Sequence, residues 1–152
     1  MGQRDMEVKE KRLLDDIPSL NVVLVGPAYA TSIPNHPRIV ALGPIDRNYI
    51  FAFMEKAKAL IMPFMVNELI ESVNPVKLYE YIYSGKPSLA SYYSETDKFK
   101  DYVCLYRDYD ELKKYAKDIV DNSLAVRSNH DIDTFIKQNT WAERINVVEK
   151  AL

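Results

Sequence analysis

Ala59-Leu60-Ile61-Met62-Pro63, followed after a loop by Asn74-Pro75-Val76-Lys77-Leu78-Tyr79-Glu80-Tyr81-Ile82-Tyr83-Ser84-Gly85 and then Pro87-Ser88-Leu89-Ala90-Ser91, is the stretch that decides the fold. The first run is apolar, of strand length and closed by a proline, as a strand buried on both faces must be. The second has helical period. Pro75 suits a first helical position, and Ser84-Gly85 is a C-terminal stop signal. The third is again a short strand. Strand, helix and strand in succession predict a parallel pair with a crossover helix.

Working outward, the same alternation continues. Toward the N-terminus, Asn21-Val22-Val23-Leu24-Val25 reads as a buried strand stopped by Gly26-Pro27, and Arg38-Ile39-Val40-Ala41-Leu42 as another stopped by Gly43-Pro44. Between these two strands the stretch from Ala28 to Pro37 is a loop rich in proline. A helix over Arg4 to Ile17 precedes them, with Leu13, Leu14 and Ile17 on one side and Pro18 helping to end it. Asp46 is placed to cap a helix carrying Ile50, Phe53, Met54 and Ala57. Phe64 to Asn74 has no clear period. Toward the C-terminus, Ser94 is placed to cap a brief helix through Lys100, and Tyr102 to Tyr106 is the last strand. Asp108 with Glu111 forms a capping box before a helix with Leu112, Tyr115, Ala116, Ile119 and Val120. Arg127 to Asp131 reads as a polar linker. Thr140 with Glu143 opens a final helix placing Trp141, Ile145, Val148 and Leu152 on one stripe. The expected fold is a Rossmann-like, doubly wound parallel α/β sheet forming a single domain over residues 1–152.

Bulk properties exclude several function classes. Twenty basic against twenty-two acidic side chains give a net charge of −2, without the basic footprint of a nucleic-acid binder. Cys104 is the single cysteine, so no intrachain disulfide and no cysteine zinc cluster can form. Its apolar surroundings read as those of a small buried hydrophobe. His36 and His130 fall in separate loops and read as solvated residues, not metal ligands. The polar start has no signal-peptide core and no stretch is long enough to span a bilayer, so a cytoplasmic protein is expected. Most of the eleven tyrosines read as packing residues with a wet hydroxyl.

In open parallel sheets, ligands bind beyond the carboxyl ends of the strands. The helix starting at Pro75 brings its first-turn N–H groups and the positive end of its dipole to that edge, an arrangement suited to a diphosphate. Lys77, Glu80 and Ser84 share its polar face, and a carboxylate one turn inside can accept from a ribose diol. By spacing alone, Lys77 and Glu80 read equally well as a surface pair worth about 0.2–0.5 kcal/mol.

The segments Leu60-Ile61-Met62-Pro63-Phe64, Asn67-Glu68-Leu69, Ser72 through Tyr81 and Ser84-Gly85-Lys86-Pro87 resemble bacterial glycosyltransferases of the GT-B fold. Among these they are most similar to the retaining, group 1-type enzymes of polysaccharide and cell-surface glycan synthesis. The resemblance extends to Val22 through Pro27, Val40 through Gly43 and Trp141-Ala142-Glu143-Arg144. It implies the C-terminal, donor-binding half of such an enzyme, taking a nucleotide diphosphate sugar without an obligatory metal or other cofactor.

By the same resemblance, Glu80 binds the ribose, Asn74, Pro75, Val76 and Lys77 face the phosphates, Gly43 and Pro44 lie near the nucleobase, and Gly26 lies at the cleft edge. Lys77 would stabilise the departing diphosphate. Many relatives carry a second glutamate eight positions before the first; Ser72 stands there, with Glu71 adjacent as the substitute catalytic carboxylate. The family's domain also opens with a strand and a glycine-bearing loop that nothing before Arg4 supplies. A truncated chain is therefore expected, lacking the central strand between Asn21–Val25 and Ala59–Met62. The N-terminal domain that takes the acceptor glycan or lipid-linked sugar would be missing as well. Such a chain should show negligible transfer on its own and should self-associate through its incomplete sheet. Peripheral inner-membrane association would belong to the full-length enzyme. A stand-alone α/β module binding a phosphorylated ligand or a partner protein, and a non-functional fragment, are the alternatives.

Overall fold

The computed structural model describes residues 11–27, 33, 35–124, 129–140, 142, 143 and 145. Its strands are β1 (Val22–Val25), β2 (Ile39–Gly43), β3 (Leu60–Met62), β4 (Ser88–Ser91) and β5 (Cys104–Tyr106). The helices are α1 (helical over 11–16), α2 (Arg47–Lys56), α3 (Lys77–Tyr83), α4 (Tyr109–Val120) and α5 (Asn129–Gln138). Short 3-10 turns run over Ile70–Ser72 and Ser94–Phe99. All pairings are parallel: β3-β4-β5 form one sheet and β1-β2 another. The architecture is Rossmann-like α/β.

Period-two alternation explains the layering. Met62, Ala90 and Leu105 point into one core with Leu78, Ile82, Phe99, Ile132 and Phe135, which belong to α3, the second 3-10 turn and α5. Ile61, Leu89 and Tyr106 point into the opposite core with Leu13 and Ile17 of α1 and Leu112, Ala116 and Ile119 of α4. β4 lies at the centre and all four of its residues are buried.

The strands thus form where the apolar runs predict them, and three local readings are corrected. Residues 129–138 form α5, not a linker: Ile132, Phe135 and Ile136 pack into the core, and the exposed His130 sits in its first turn, its carbonyl accepting from Thr134. His36 is not solvated either. Its side chain is only 8% exposed, with Nδ1 accepting from the Arg38 amide at 3.1 Å and Nε2 facing Asp15 at 3.5 Å. Ser94 does not cap the turn it begins; Thr96 Oγ1 accepts from the Tyr93 amide at 2.9 Å, while Ser94 turns to Glu71. Boundaries also tighten. α3 starts at Lys77, two positions inside the predicted start, and Tyr102 and Val103 form a turn closed by their amides on the Phe99 carbonyl before β5 begins. The expected final stripe of Trp141, Val148 and Leu152 and the helix start before residue 11 lie outside the described residues.

Among the described residues, the sheets do not join: β1 pairs only with β2, and β3 only with β4. Val23 and Val25 are 54% and 41% exposed, although their sequence is that of an interior strand. At β3, the Tyr81 hydroxyl donates to the Ile61 carbonyl at 3.4 Å. No described helix is long and apolar enough to cross a membrane.

Candidate functional site

β2 ends at Gly43, whose φ of 68° lies in the left-handed region that glycine adopts without strain. Its carbonyl accepts from the Gly26 amide at 2.9 Å, so the glycines ending β1 and β2 are held side by side. The chain then turns through Pro44 and Ile45 to Asp46, whose carboxylate accepts from the Asn48 amide at 2.8 Å and caps α2. That cap fixes where Arg47 leaves the helix. Opposite it, α3 presents Lys77 and Glu80 on one face.

These elements enclose a cavity of about 180 Å3 lined by Ile45, Arg47, Ile50, Phe51, Lys77 and Glu80. Lys77 Nζ donates to Glu80 Oε2 at 2.7 Å, and Arg47 Nη2 stands 3.8 Å from Glu80 Oε1. The Glu80 side chain is 29% exposed and lines the cleft. Below it, burial and then the Glu80 charge push the Tyr81 hydroxyl above its ordinary pKa, keeping it a neutral donor to Ile61. Phe51 meets Tyr83 edge-on at 5.5 Å between centroids, closing the cleft between α2 and α3. Two cations, one carboxylate and an apolar wall can hold a ligand that joins an anionic group to hydroxyls and a flat apolar part.

The candidate residues fall into two groups. Gly26, Gly43 and Pro44 border the strand ends that lead into this cleft, and Lys77 with Glu80 line it. Glu71 and Ser72 sit instead in the first 3-10 turn, where Glu71 Oε2 accepts from Ser94 Oγ at 3.1 Å. Asn74 Oδ1 accepts from Lys98 Nζ at 3.1 Å. The Pro75 ring is fully buried, and Val76 is exposed. The first-turn amides of Val76, Leu78 and Tyr79 are accepted locally, by the carbonyls of Asn74, Pro75 and Val76. Sequence reasoning missed Arg47, Ile45 and Phe51. Ile45 follows Gly43-Pro44 directly, and Arg47 and Phe51 sit on the helix that Asp46 caps, but nothing in that local pattern shows that they face α3.

A second cavity, of about 340 Å3, opens beside β5 between Arg107, Cys104 and Tyr115. Arg107 lies 3.8 Å over the Tyr92 ring. Burial, and secondarily Asp118, raise the Cys104 thiol pKa, the opposite of nucleophile activation. Among the described residues, no three His, Cys, Asp or Glu side chains converge as a metal site would require.

Parallel strands between two helical layers, with a charged cleft where the strands end, define this chain as a Rossmann-like α/β protein. No family model matches it. Over 75 residues, 49% of this chain, it is 32% identical to a Bacillus subtilis (strain 168) protein named "Putative teichuronic acid biosynthesis glycosyltransferase TuaH". The match spans 19% of that relative's length. The chain is related to a glycosyltransferase.

Proposed function

We propose that this chain is the donor-binding part of a glycosyltransferase, taking a nucleotide diphosphate sugar for polysaccharide or cell-surface glycan synthesis. The observation that carries the reading is the cleft beside the end of β2, where Lys77 and Glu80 meet Arg47. The relationship to a teichuronic acid glycosyltransferase supports the reaction class. The relative's name also favours a polysaccharide acceptor. In this reading Glu80 orients the ribose and Lys77 stabilises the nucleoside diphosphate as it departs, with Glu71 the second carboxylate. Gly43 and Pro44 border the base, Gly26 lies at the cleft edge, and Asn74, Pro75 and Val76 form the phosphate-facing helix entry with Ser72 beside it, the buried Pro75 acting through the backbone. Positively charged side chains can do such electrostatic work without a metal or other cofactor. On the sequence resemblance, the full-length protein would be a retaining, group 1-type GT-B enzyme acting in the cytoplasm with peripheral attachment to the inner membrane.

At about 180 Å3 the cavity is smaller than the roughly 300–1,000 Å3 of a complete ligand site, which suits one wall of a larger cleft. That the two sheets do not join among the described residues supports the same reading. A two-stranded sheet with an exposed apolar face is marginal by itself. A further parallel strand between β1 and β3, with an acceptor-binding domain ahead of it, would complete both sheet and site. The coding sequence upstream of Met1 tests this, and self-association through the open edge is the alternative fate of that surface.

Calorimetric titration with UDP, GDP and inorganic phosphate tests the site. Binding of a nucleoside diphosphate that is lost in Glu80→Ala is the expected result; absence of nucleotide binding overturns the assignment. Equal affinity for phosphate alone would favour a non-catalytic phosphate-binding module, a reading supported by the two cations that flank Glu80.

A further inference from the structure

We propose that Arg47 is an exchangeable anion-holding residue of this cleft, whose contact with Glu80 gives way to a ligand phosphate. The proposal rests on the nucleotide reading above and assigns it a residue on α2 that the sequence pattern does not reveal.

The two contacts on Glu80 differ in kind. Lys77 is one turn away on the same helix and within hydrogen-bonding distance of Oε2, at 2.7 Å. Arg47 reaches from another helix and stops 3.8 Å from Oε1, too far for a hydrogen bond. Its side chain is 91% exposed, so the attraction is a screened Coulombic one that holds it weakly. A guanidinium carries five donors in a planar fork that matches phosphate oxygens two at a time. At this position the fork is held near a carboxylate, yet none of its donors is committed to it.

A ligand carrying both hydroxyls and phosphate resolves that arrangement. Its hydroxyl donates to Glu80 Oε1, displacing the guanidinium from the one oxygen that Lys77 does not hold. The freed fork takes a phosphate oxygen, and Lys77 adds the second positive charge. The three charged side chains sum to one net positive charge, which favours an anion. Ile45, Ile50 and Phe51 provide the apolar wall for the remainder of the ligand. Glu80 is thus an internal stand-in for the phosphate, and exchange of partners couples recognition of the two halves of the ligand.

The test is calorimetric titration of the full chain with UDP, GDP, their nucleosides and pyrophosphate, for the wild type, Arg47→Ala, Arg47→Lys and Glu80→Gln, with melting temperatures confirming that each variant is folded. Arg47→Ala should weaken the diphosphate about tenfold, the loss of one charge-assisted hydrogen bond, and leave the nucleoside unchanged. Arg47→Lys should restore part of the loss. Glu80→Gln should tighten pyrophosphate, because the competing carboxylate charge is gone, while weakening the nucleoside. Unchanged diphosphate affinity in Arg47→Ala, or an equal loss for nucleoside and diphosphate, overturns the proposal and leaves the nucleotide reading standing. Arg47-dependent binding of pyrophosphate with no preference for nucleotides does the reverse. A wild type that binds none of the probes removes both.

Discussion

Arg38 Nη1 donates to the Ile17 carbonyl at 2.8 Å, tying the residue before β2 to the end of α1. The same guanidinium donates to the carbonyls of Leu20, at 3.1 Å, and Leu14. The last carbonyls of a helix have no partner within it, and a cation there also meets the negative end of the helix dipole. Arg38 therefore gathers in one group the Leu14 carbonyl of α1 and the Ile17 and Leu20 carbonyls of the segment after it, of which Ile17's also accepts from the Leu20 amide. Arg38→Ala should cost about 2 kcal/mol, the scale of a hydrogen bond to a charged group. Arg38→Lys should recover only part of that, because an ammonium lacks the planar fork. Urea unfolding midpoints measure both; equal stability of Arg38→Ala and wild type would show that solvent replaces the clasp.

A second clasp joins α1 to α4 and carries a pH signature. Lys113 Nζ and Tyr109 Oη each lie 2.7 Å from Asp16 Oδ2. The Lys113 contact first, and the Tyr109 hydrogen bond second, lower the Asp16 pKa below its ordinary value. A pKa depressed in the folded state stabilises above the unfolded value of about 3.9, and that contribution is lost as pH falls through the folded value. Tyr109 has the opposite sign. Burial and then the Asp16 hydrogen bond push it up to about 12, so its contribution holds below about 10 and is lost as pH rises toward 12. Asp16→Asn should therefore be less stable than wild type at neutral pH, with the two unfolding curves converging below about pH 4. A gap that persists undiminished in acid would show that charge has no part in the clasp.

Cys104 should be a slow thiol. It lies in β5 beside α4, where burial raises its pKa and Asp118 adds to the shift. The thiolate is the reactive form, so its fraction at pH 8 falls below that of a free cysteine. Native protein should react with DTNB markedly more slowly than glutathione, and urea should abolish the difference. A native rate equal to that of glutathione would contradict this packing.

The parallel strands were legible because Val22–Val25, Leu60–Met62 and Ser88–Ser91 are short, largely apolar runs closed by glycine, proline or polar residues. The serines of β4 and the exposed valines of β1 nevertheless depart from the continuously apolar pattern of a strand covered on both faces. α5 was not. Its stripe rests on Ile132, Phe135 and Ile136 in a mainly polar decamer, and only the core they enter gives those three residues weight. Lys77 and Glu80 could be paired by helical spacing. Arg47 could not, because its contact with Glu80 crosses between helices, 33 residues along the chain, a relation that local periodicity does not encode. The local satisfaction of the Val76, Leu78 and Tyr79 amides was equally hidden, since it depends on how the Asn74-Pro75 turn bends.

The weak attachment of α2 gives the last prediction. Met54 is its one buried residue, and its links to α3 are the Phe51–Tyr83 ring contact and the Arg47–Glu80 ion pair. The β1-β2 sheet beside it exposes valines on its strands, whereas β4 is buried throughout. Segments with few buried contacts open locally at lower free energy than the core. Phe51→Ala removes an aromatic pair worth about 0.5–1.5 kcal/mol, so amides in the second half of α2 should exchange with deuterium up to about tenfold faster. Those of Leu89 and Ala90 in β4 should not change. If β4 accelerates by the same factor, α2 opens only with the whole molecule, and the cleft it borders is as rigid as the core. If α2 alone accelerates, the wall of the cleft that carries Arg47 moves independently of β4.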